Sequence, residues 1–280
     1  MADPDPRAVR LPEEPIDRLI EPIERFLHVE AAGGLVLLAC TAVALVLANG
    51  PAAAAVHHFW ETEIGFVVGR SSTMGVPLST SDFAEYVFGV VLVNDWSARD
   101  IQAWEYRPLG PFLGKSFATT ISPWVVPLAA LDAARVPAPV QDPPVLPYLG
   151  EVRREGYDIR LEVRWNGTVV SRPQYSRIYW TAAQQFAHLT ANGARVRTGD
   201  LYASGTVSGP SRAESGSFIE LTMGGREPVT LDGGTVRTFL EDGDSVTISA
   251  TAPGPDGGVI GLGEATGRVV PLARKAPAAG

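Results

Sequence analysis

The feature that most constrains the fold is an unbroken apolar run followed at once by a carboxylate and a dense polar cluster. The run covers 88–93 and reads Phe-Gly-Val-Val-Leu-Val. Because it is rich in β-branched residues and carries no charge, it is typical of a buried strand. Asn94 and Asp95 follow directly, so the pattern places a carboxylate where that strand ends. More hydrogen-bonding and aromatic residues come next, namely Trp96, Arg99, Asp100, Gln102, Trp104, Glu105 and Tyr106.

A second carboxylate group lies upstream, in the segment 61–69. Side chains two positions apart on a strand share one face, so Glu61 and Glu63 would lie side by side. A Glu-x-Glu pair alone is typical of a solvated strand face. Together with Asp95, however, the pair supplies three hard oxygen ligands, a donor set suited to Mg²⁺ or Ca²⁺.

Three motifs resemble the fumarylacetoacetase family, and the similarity runs from about residue 61 to about residue 271. They are Asn-Asp-Trp-Ser-Ala-Arg-Asp-Ile-Gln at 94–102, Pro-Leu-Gly-Pro-Phe-Leu-Gly-Lys at 108–115 and Ser-Gly-Thr-Val-Ser-Gly-Pro at 204–210. The family's Glu-x-Glu precedes its aspartate by the same interval as Glu61 precedes Asp95.

The resemblance implies a mostly β fold with some α, a mixed β-sandwich roll, over residues 59–272. It also implies a homodimer, a small diketo acid substrate, and Mg²⁺ and/or Ca²⁺ as cofactor. The implied reaction is hydrolysis of a carbon–carbon bond in a β-diketone, which converts fumarylacetoacetate into fumarate and acetoacetate in tyrosine and phenylalanine catabolism.

The resemblance also implies roles for individual residues. Glu61, Glu63 and Asp95 match metal ligands, while Lys115 and Thr119 match positions near a second, Mg²⁺-type site. Gln102, Tyr106 and Thr206 match substrate-binding positions. Arg99, Gln102, Lys115 and Glu220 are the candidate catalytic residues. A lone Lys115 could be a surface lysine, but beside carboxylates an electrophilic role is favoured. Glu220, on a predicted strand over 218–223, would orient a general-base histidine.

The N-terminal part has a pattern that the fumarylacetoacetase resemblance does not cover. Residues 31–48 form an uncharged apolar stretch that predicts one helix, long enough to cross a bilayer or to be buried in a protein core. Residues 20–60 resemble the first transmembrane helix of bacterial sodium/proton antiporters, which would make the chain a hybrid with domains at 1–58 and 59–272 and a tail at 273–280. A single helix cannot form a transport pathway. The alternative function is therefore a membrane-anchored antiporter fragment without transport activity.

The segments that carry the family's histidine have no counterpart here, so the expected turnover is at least about a hundredfold below that of a complete enzyme. His188 falls in the apolar pattern of a predicted helix over 181–191, which favours a core histidine. The single cysteine, Cys40, and the catabolic substrate favour a cytoplasmic location. A net charge of −8 argues against nucleic acid as a partner.

The remaining patterns predict strands and one hairpin. Strands are expected at 117–128, 157–165, 235–240 and 245–250. Asn166-Gly167 is a strong hairpin signal between two strands.

Overall fold

The computed structural model describes residues 58–59 and 61–271, which form a mixed α/β fold built on antiparallel sheets. In chain order, the strands are β1 His58–Phe59, β2 Thr62–Val68, β3 Val87–Asp95, β4 Ser97–Ala98, β5 Thr119–Ile121, β6 Val126–Pro127, β7 Arg135–Pro137, β8 Glu155–Tyr157, β9 Arg160–Trp165, β10 Thr168–Ser171, β11 Leu201–Ala203, β12 Val229–Thr230, β13 Val236–Arg237, β14 Ser245–Pro253 and β15 Val259–Arg268. The α-helices are α1 Phe83–Tyr86, α2 Arg99–Glu105, α3 Leu113–Ser116, α4 Ala182–Thr190 and α5 Phe218–Leu221.

Two sheets form the body of the fold. One has the strand order β11-β2-β3-β5, and β6 pairs with another part of β3, at Gly89 and Val90. The other has the order β10-β9-β14-β15. The apolar side chains of both sheets join one buried core, in which Phe66 and Leu92 from the first sheet meet Trp165 and Ile248 from the second. Burial of these side chains is the main force that holds the two sheets together.

The structure confirms the buried strand over 88–93 and the hairpin at Asn166-Gly167. The strand β3 is buried along most of its length because it pairs with β2 on one side and with β5 and β6 on the other. Asn166 and Gly167 have φ values of 49° and 86°, the left-handed pair that a two-residue hairpin of type I′ requires. Trp165 and Thr168 are the cross-strand partners that close this hairpin.

Two predicted strands are each divided in the structure. The strand expected at 117–128 is broken between Ile121 and Val126, where Pro123 has no N–H for the ladder and the Ser122 hydroxyl accepts from the backbone N–H of Leu92 at 3.0 Å. The strand expected at 157–165 is interrupted at Asp158. Before this residue β8 pairs with β7, and after it β9 pairs with β14.

The prediction of a strand at 218–223 is wrong, because the segment begins with the short helix α5. Phe218 and Leu221 are both buried, which is helical spacing, and the Phe218 ring stacks on Trp165 with 4.2 Å between centroids. A short apolar run does not distinguish a helix from a strand by periodicity, and here packing against Trp165 decides. The strand predicted at 235–240 is reduced to Val236–Arg237, and the one predicted at 245–250 extends to Pro253.

The helix predicted at 181–191 is confirmed as α4, and its first turn is closed by a reciprocal pair of hydrogen bonds. The backbone N–H of Gln184 donates to the Thr181 hydroxyl, and the Gln184 amide oxygen accepts from the backbone N–H of Thr181, both at 3.1 Å. We expect Thr181→Ala to lower the free energy of unfolding by about 1 kcal/mol. Urea denaturation would measure this, with Thr181→Ser as the control that keeps the cap, and equal midpoints for all three proteins would contradict it.

The predicted helix at 31–48 lies outside the described residues, as does the antiporter-like segment 20–60 apart from residues 58–59. Across 58–59 and 61–271, no helix combines the length and the apolar character that crossing a membrane requires.

Candidate active site

Three carboxylates meet where β2 begins and β3 ends. Glu61 forms an isolated bridge with Ser217 just before β2, and Glu63 lies on the strand itself. Asp95 is the last residue of β3, and its backbone N–H donates to the carbonyl oxygen of Glu61 at 3.2 Å. One carboxylate oxygen from each of these residues lies within 4.8 Å of the others. The structure thus brings together the three residues that the sequence predicts as metal ligands.

Burial makes one carboxylate of the cluster, that of Glu63, costly to ionise. The Glu63 side chain is buried, with a relative exposure of 6%. This burial, and then the negative charges of Asp95 and Glu61, raise the pKa of Glu63 to about 7, although the cation of Lys115 opposes the shift. A carboxylate with such a pKa is one that a bound cation would stabilise in its ionised form.

Two side-chain cations contact the cluster. The ammonium of Lys115 donates to Glu61 at 2.6 Å and to Asp95 at 2.5 Å. The guanidinium of Arg99 donates to the other oxygen of Glu61 at 2.5 Å and to the Gln102 amide oxygen at 3.0 Å. Burial lowers the pKa of Lys115, but its hydrogen bonds to Asp95 and Glu61 raise that pKa more, so it lies above its usual value. Lys115 therefore carries a positive charge at neutral pH.

The donor set fits a hard divalent cation. Three carboxylates outnumber the two side-chain cations, so the cluster has a net negative charge once Glu63 is ionised, and carboxylate oxygen is the ligand that Mg²⁺ and Ca²⁺ prefer. A protonated Lys115 has no lone pair, so it would supply charge and hydrogen bonds rather than a bond to the metal. Thr119 lies opposite Asp95 in the β3–β5 ladder, with an exposed side chain.

The predicted substrate-binding residues lie on two separate segments of the chain. Gln102 and Tyr106 lie on and just after α2, the helix that begins with Arg99. Thr206 lies in the loop after β11, and this loop runs along β2 through hydrogen bonds on both sides of Glu63. These are Ile64 N–H to the Ser204 hydroxyl at 3.1 Å and Val207 N–H to the Thr62 carbonyl oxygen at 2.9 Å.

Glu220 lies elsewhere than the sequence predicts. It is exposed on the helix α5 rather than on a strand, and its carboxylate accepts from the Ser208 hydroxyl at 2.6 Å and from the Gly216 N–H at 3.1 Å. The Gly216 carbonyl in turn accepts from Thr62, the neighbour of Glu61. Glu220 therefore holds the loop beside the carboxylate cluster, and its role in orienting a histidine stays a prediction.

The prediction of a core histidine at position 188 is wrong. His188 is exposed on α4, where its Nδ1 lies 2.9 Å from the Tyr148 hydroxyl and its ring stacks on that of Tyr148. The apolar pattern of this helix continues at Phe186 and Ala187, which face the core, so the helix is amphipathic and His188 falls on its outer side.

Comparison with known proteins decides the family. The family model described as fumarylacetoacetate (FAA) hydrolase C-terminal matches residues 43–270, more than three quarters of this chain. The chain belongs to the fumarylacetoacetate hydrolase family. Within this family it is 50% identical over 218 residues to the fumarylacetoacetase of Arabidopsis thaliana, a match that covers 76% of this chain and 51% of that relative.

Other members of the fumarylacetoacetate hydrolase family extend the comparison. The human fumarylacetoacetase is 48% identical over 217 residues, covering 75% of this chain and 52% of the relative. The chain spans about half the length of the curated relatives it matches. Among solved structures, the fumarylacetoacetate hydrolase from psychrophilic Exiguobacterium antarcticum has a TM-score of 0.50 at 18% identity, over 76% of this chain and 57% of that one. That likeness supports the fold alone.

Proposed function

We propose that this chain is a metal-dependent hydrolase of the carbon–carbon bond of a β-diketone, with fumarylacetoacetate as its substrate. The observation that carries the proposal is the group of three carboxylates, one of them buried, with Lys115 and Arg99 in contact with it. Membership of the fumarylacetoacetate hydrolase family supports the same reaction. Water adds its oxygen to the fumaryl carbonyl carbon, the adjacent carbon–carbon bond breaks, and the acetoacetate carbanion takes up a proton.

Glu61, Glu63 and Asp95 are the residues that would hold the cation. When bound, Mg²⁺ or Ca²⁺ would supply positive charge next to the diketone oxygens, where negative charge accumulates as the bond breaks. The family and the donor set support a metal in general, and the choice between these two ions is a further proposal.

The other site residues would stabilise the negative charge that develops on the substrate and would orient the substrate. The ammonium of Lys115 is held at the cluster, from where it can donate to an oxyanion of the substrate. Arg99 fixes both Glu61 and Gln102, so it would orient a metal ligand and a substrate-binding amide together. Tyr106 and Thr206 would contact the substrate, and Thr119 would line the cation side of the site.

Protons should compete with the cation for Glu63, because only the ionised carboxylate is a strong ligand. With the pKa of Glu63 at about 7 in the cation-free protein, Mg²⁺ affinity should weaken roughly tenfold per pH unit below that value. The same raised pKa means that the stability of the cation-free fold should fall as pH rises from 4.5 to about 7. Calorimetric Mg²⁺ titrations above and below neutral pH measure the affinity, and Glu63→Gln should remove most of its pH dependence. A Mg²⁺ affinity independent of pH would contradict the competition between protons and the cation.

We also infer a homodimer in the cytoplasm, as the family resemblance suggests. In support, the segment 101–124 exposes many large apolar side chains, which are typical of an interaction surface. They are Ile101, Trp104, Leu109, Phe112, Leu113, Phe117, Ile121 and Trp124. Light scattering of the purified full chain tests the assembly. The domain boundary at 58/59 stays a proposal, and the membrane association proposed for 31–48 concerns residues outside the described range.

Substrate choice tests the proposed reaction. Fumarylacetoacetate and a simple acylpyruvate should both lose their diketone absorbance in the presence of the chain and Mg²⁺, with the former preferred. A preference for the acylpyruvate would support the proposed type of reaction but contradict fumarylacetoacetate as the substrate.

A further inference from the structure

Glu105, at the end of α2, holds the 112–114 turn, which begins the short helix α3 and leads directly into Lys115. Its carboxylate accepts hydrogen bonds from three successive backbone N–H groups, those of Phe112 at 2.7 Å, Leu113 at 3.1 Å and Gly114 at 2.7 Å. Burial raises the pKa of Glu105, but these three donors lower that pKa more, so it lies below its usual value. The carboxylate is therefore ionised at neutral pH and binds the turn with charge-assisted hydrogen bonds.

The same turn is pressed against the beginning of α2 at Gly114. A side-chain carbon at Gly114 would lie 2.8 Å from the backbone nitrogen of Gln102 and 3.0 Å from the carbonyl oxygen of Ala98. Only glycine permits this approach. The turn is thus attached to α2 at both ends of the helix, by Glu105 at its last residue and by Gly114 near its first.

Side-chain burial contributes little to holding this turn. Leu109 and Leu113 are 82% and 68% exposed, and Phe112 is also largely exposed. The backbone hydrogen bonds to Glu105 and the close approach of Gly114 are therefore the contacts that hold the turn against α2. Lys115 follows immediately, and its ammonium reaches Glu61 and Asp95.

We propose that Glu105 is a positioning residue, which places the Lys115 ammonium at the carboxylate cluster by fixing the 112–114 turn. The consequence for catalysis rests on the proposed function, whereas the effect on Lys115 itself does not. Without the carboxylate, the three N–H groups lose their common acceptor, the turn separates from α2, and Lys115 loses its fixed distance from Glu61 and Asp95.

Lys115 can be observed on its own, because Lys115 and Lys275 are the only lysines of the sequence. In a Lys275→Arg protein labelled with ¹⁵N-lysine, the side-chain ammonium signal belongs to Lys115. We expect Glu105→Ala to shift this signal towards that of free lysine and to accelerate its exchange with water. Glu105→Gln, which keeps one acceptor oxygen and the side-chain size, should shift it partway. The control is Asp82→Asn, since Asp82 also caps a turn, by accepting from Ser79.

Kinetics provides the second measurement on the same full-length variants. Glu105→Ala should lower kcat about 10- to 100-fold with KM nearly unchanged, and Glu105→Gln should recover part of the loss. A Lys115 signal that is identical in the parent, Glu105→Ala and Glu105→Gln proteins would overturn the proposal, as would a rise in KM with kcat unchanged. If the parent chain shows no turnover, the proposed function fails, and the Lys115 signal alone decides the role of Glu105.

Discussion

Asp95→Asn should weaken Mg²⁺ and Ca²⁺ binding by at least about a hundredfold, since even residues that only support a metal ligand contribute 10- to 100-fold. The substitution removes one of three carboxylates whose oxygens lie within 4.8 Å, and it places an amide beside the Lys115 ammonium in place of an anion. Turnover of a diketone substrate should fall with cation occupancy. Calorimetry with each ion measures the affinity directly.

The matched control for this substitution is Asp132→Asn, since Asp132 is an exposed aspartate paired with Arg135. Its cation affinity and turnover should equal those of the unchanged chain. Unchanged binding in Asp95→Asn would show that the cation is held elsewhere and would remove the site assignment.

Lys115→Met should reduce kcat about 10²- to 10³-fold, the loss seen when a single oxyanion donor is removed. The methionine keeps much of the length but removes the ammonium that donates to Glu61 and Asp95. Because that ammonium partly neutralises the carboxylates, its loss should leave cation binding intact or tighter. The combination of lost turnover with retained cation binding separates an electrophilic role from a structural one.

Lys275→Met replaces the only other lysine and should retain the turnover of the unchanged chain. Lys115→Arg keeps the charge and should recover part of the rate. A Lys115→Met protein that turns over at the normal rate would assign this lysine to the surface, the alternative that the sequence leaves open.

The sequence predicts the parts of the site that consist of side chains on regular strands. Alternation places Glu61 and Glu63 on one face, and the apolar run before Asp95 identifies the strand that delivers the third carboxylate. Pairing of β2 with β3 then brings the three together. The hairpin at Asn166-Gly167 is also predicted, because local backbone chemistry determines a two-residue turn.

Features that depend on tertiary packing or on backbone groups could not be read in advance. The helix at 218–221 forms because Phe218 packs on Trp165, a residue of a distant strand. The role of Glu105 is invisible in sequence because its partners are backbone N–H groups, which every residue other than proline carries. The position of Glu220 is not determined by the sequence for the same reason, since the short apolar segment around it is compatible with a strand or a helix.

The most direct test of the account is a single-turnover experiment with the full chain in excess over fumarylacetoacetate. Product formation would be followed by ¹H nuclear magnetic resonance with saturating Mg²⁺, with a chelator, and with Asp95→Asn in place of the unchanged chain. The account predicts equal amounts of fumarate and acetoacetate with Mg²⁺, and neither product above the uncatalysed level in the other two samples. No products with Mg²⁺, or equal yields in all three samples, would contradict it.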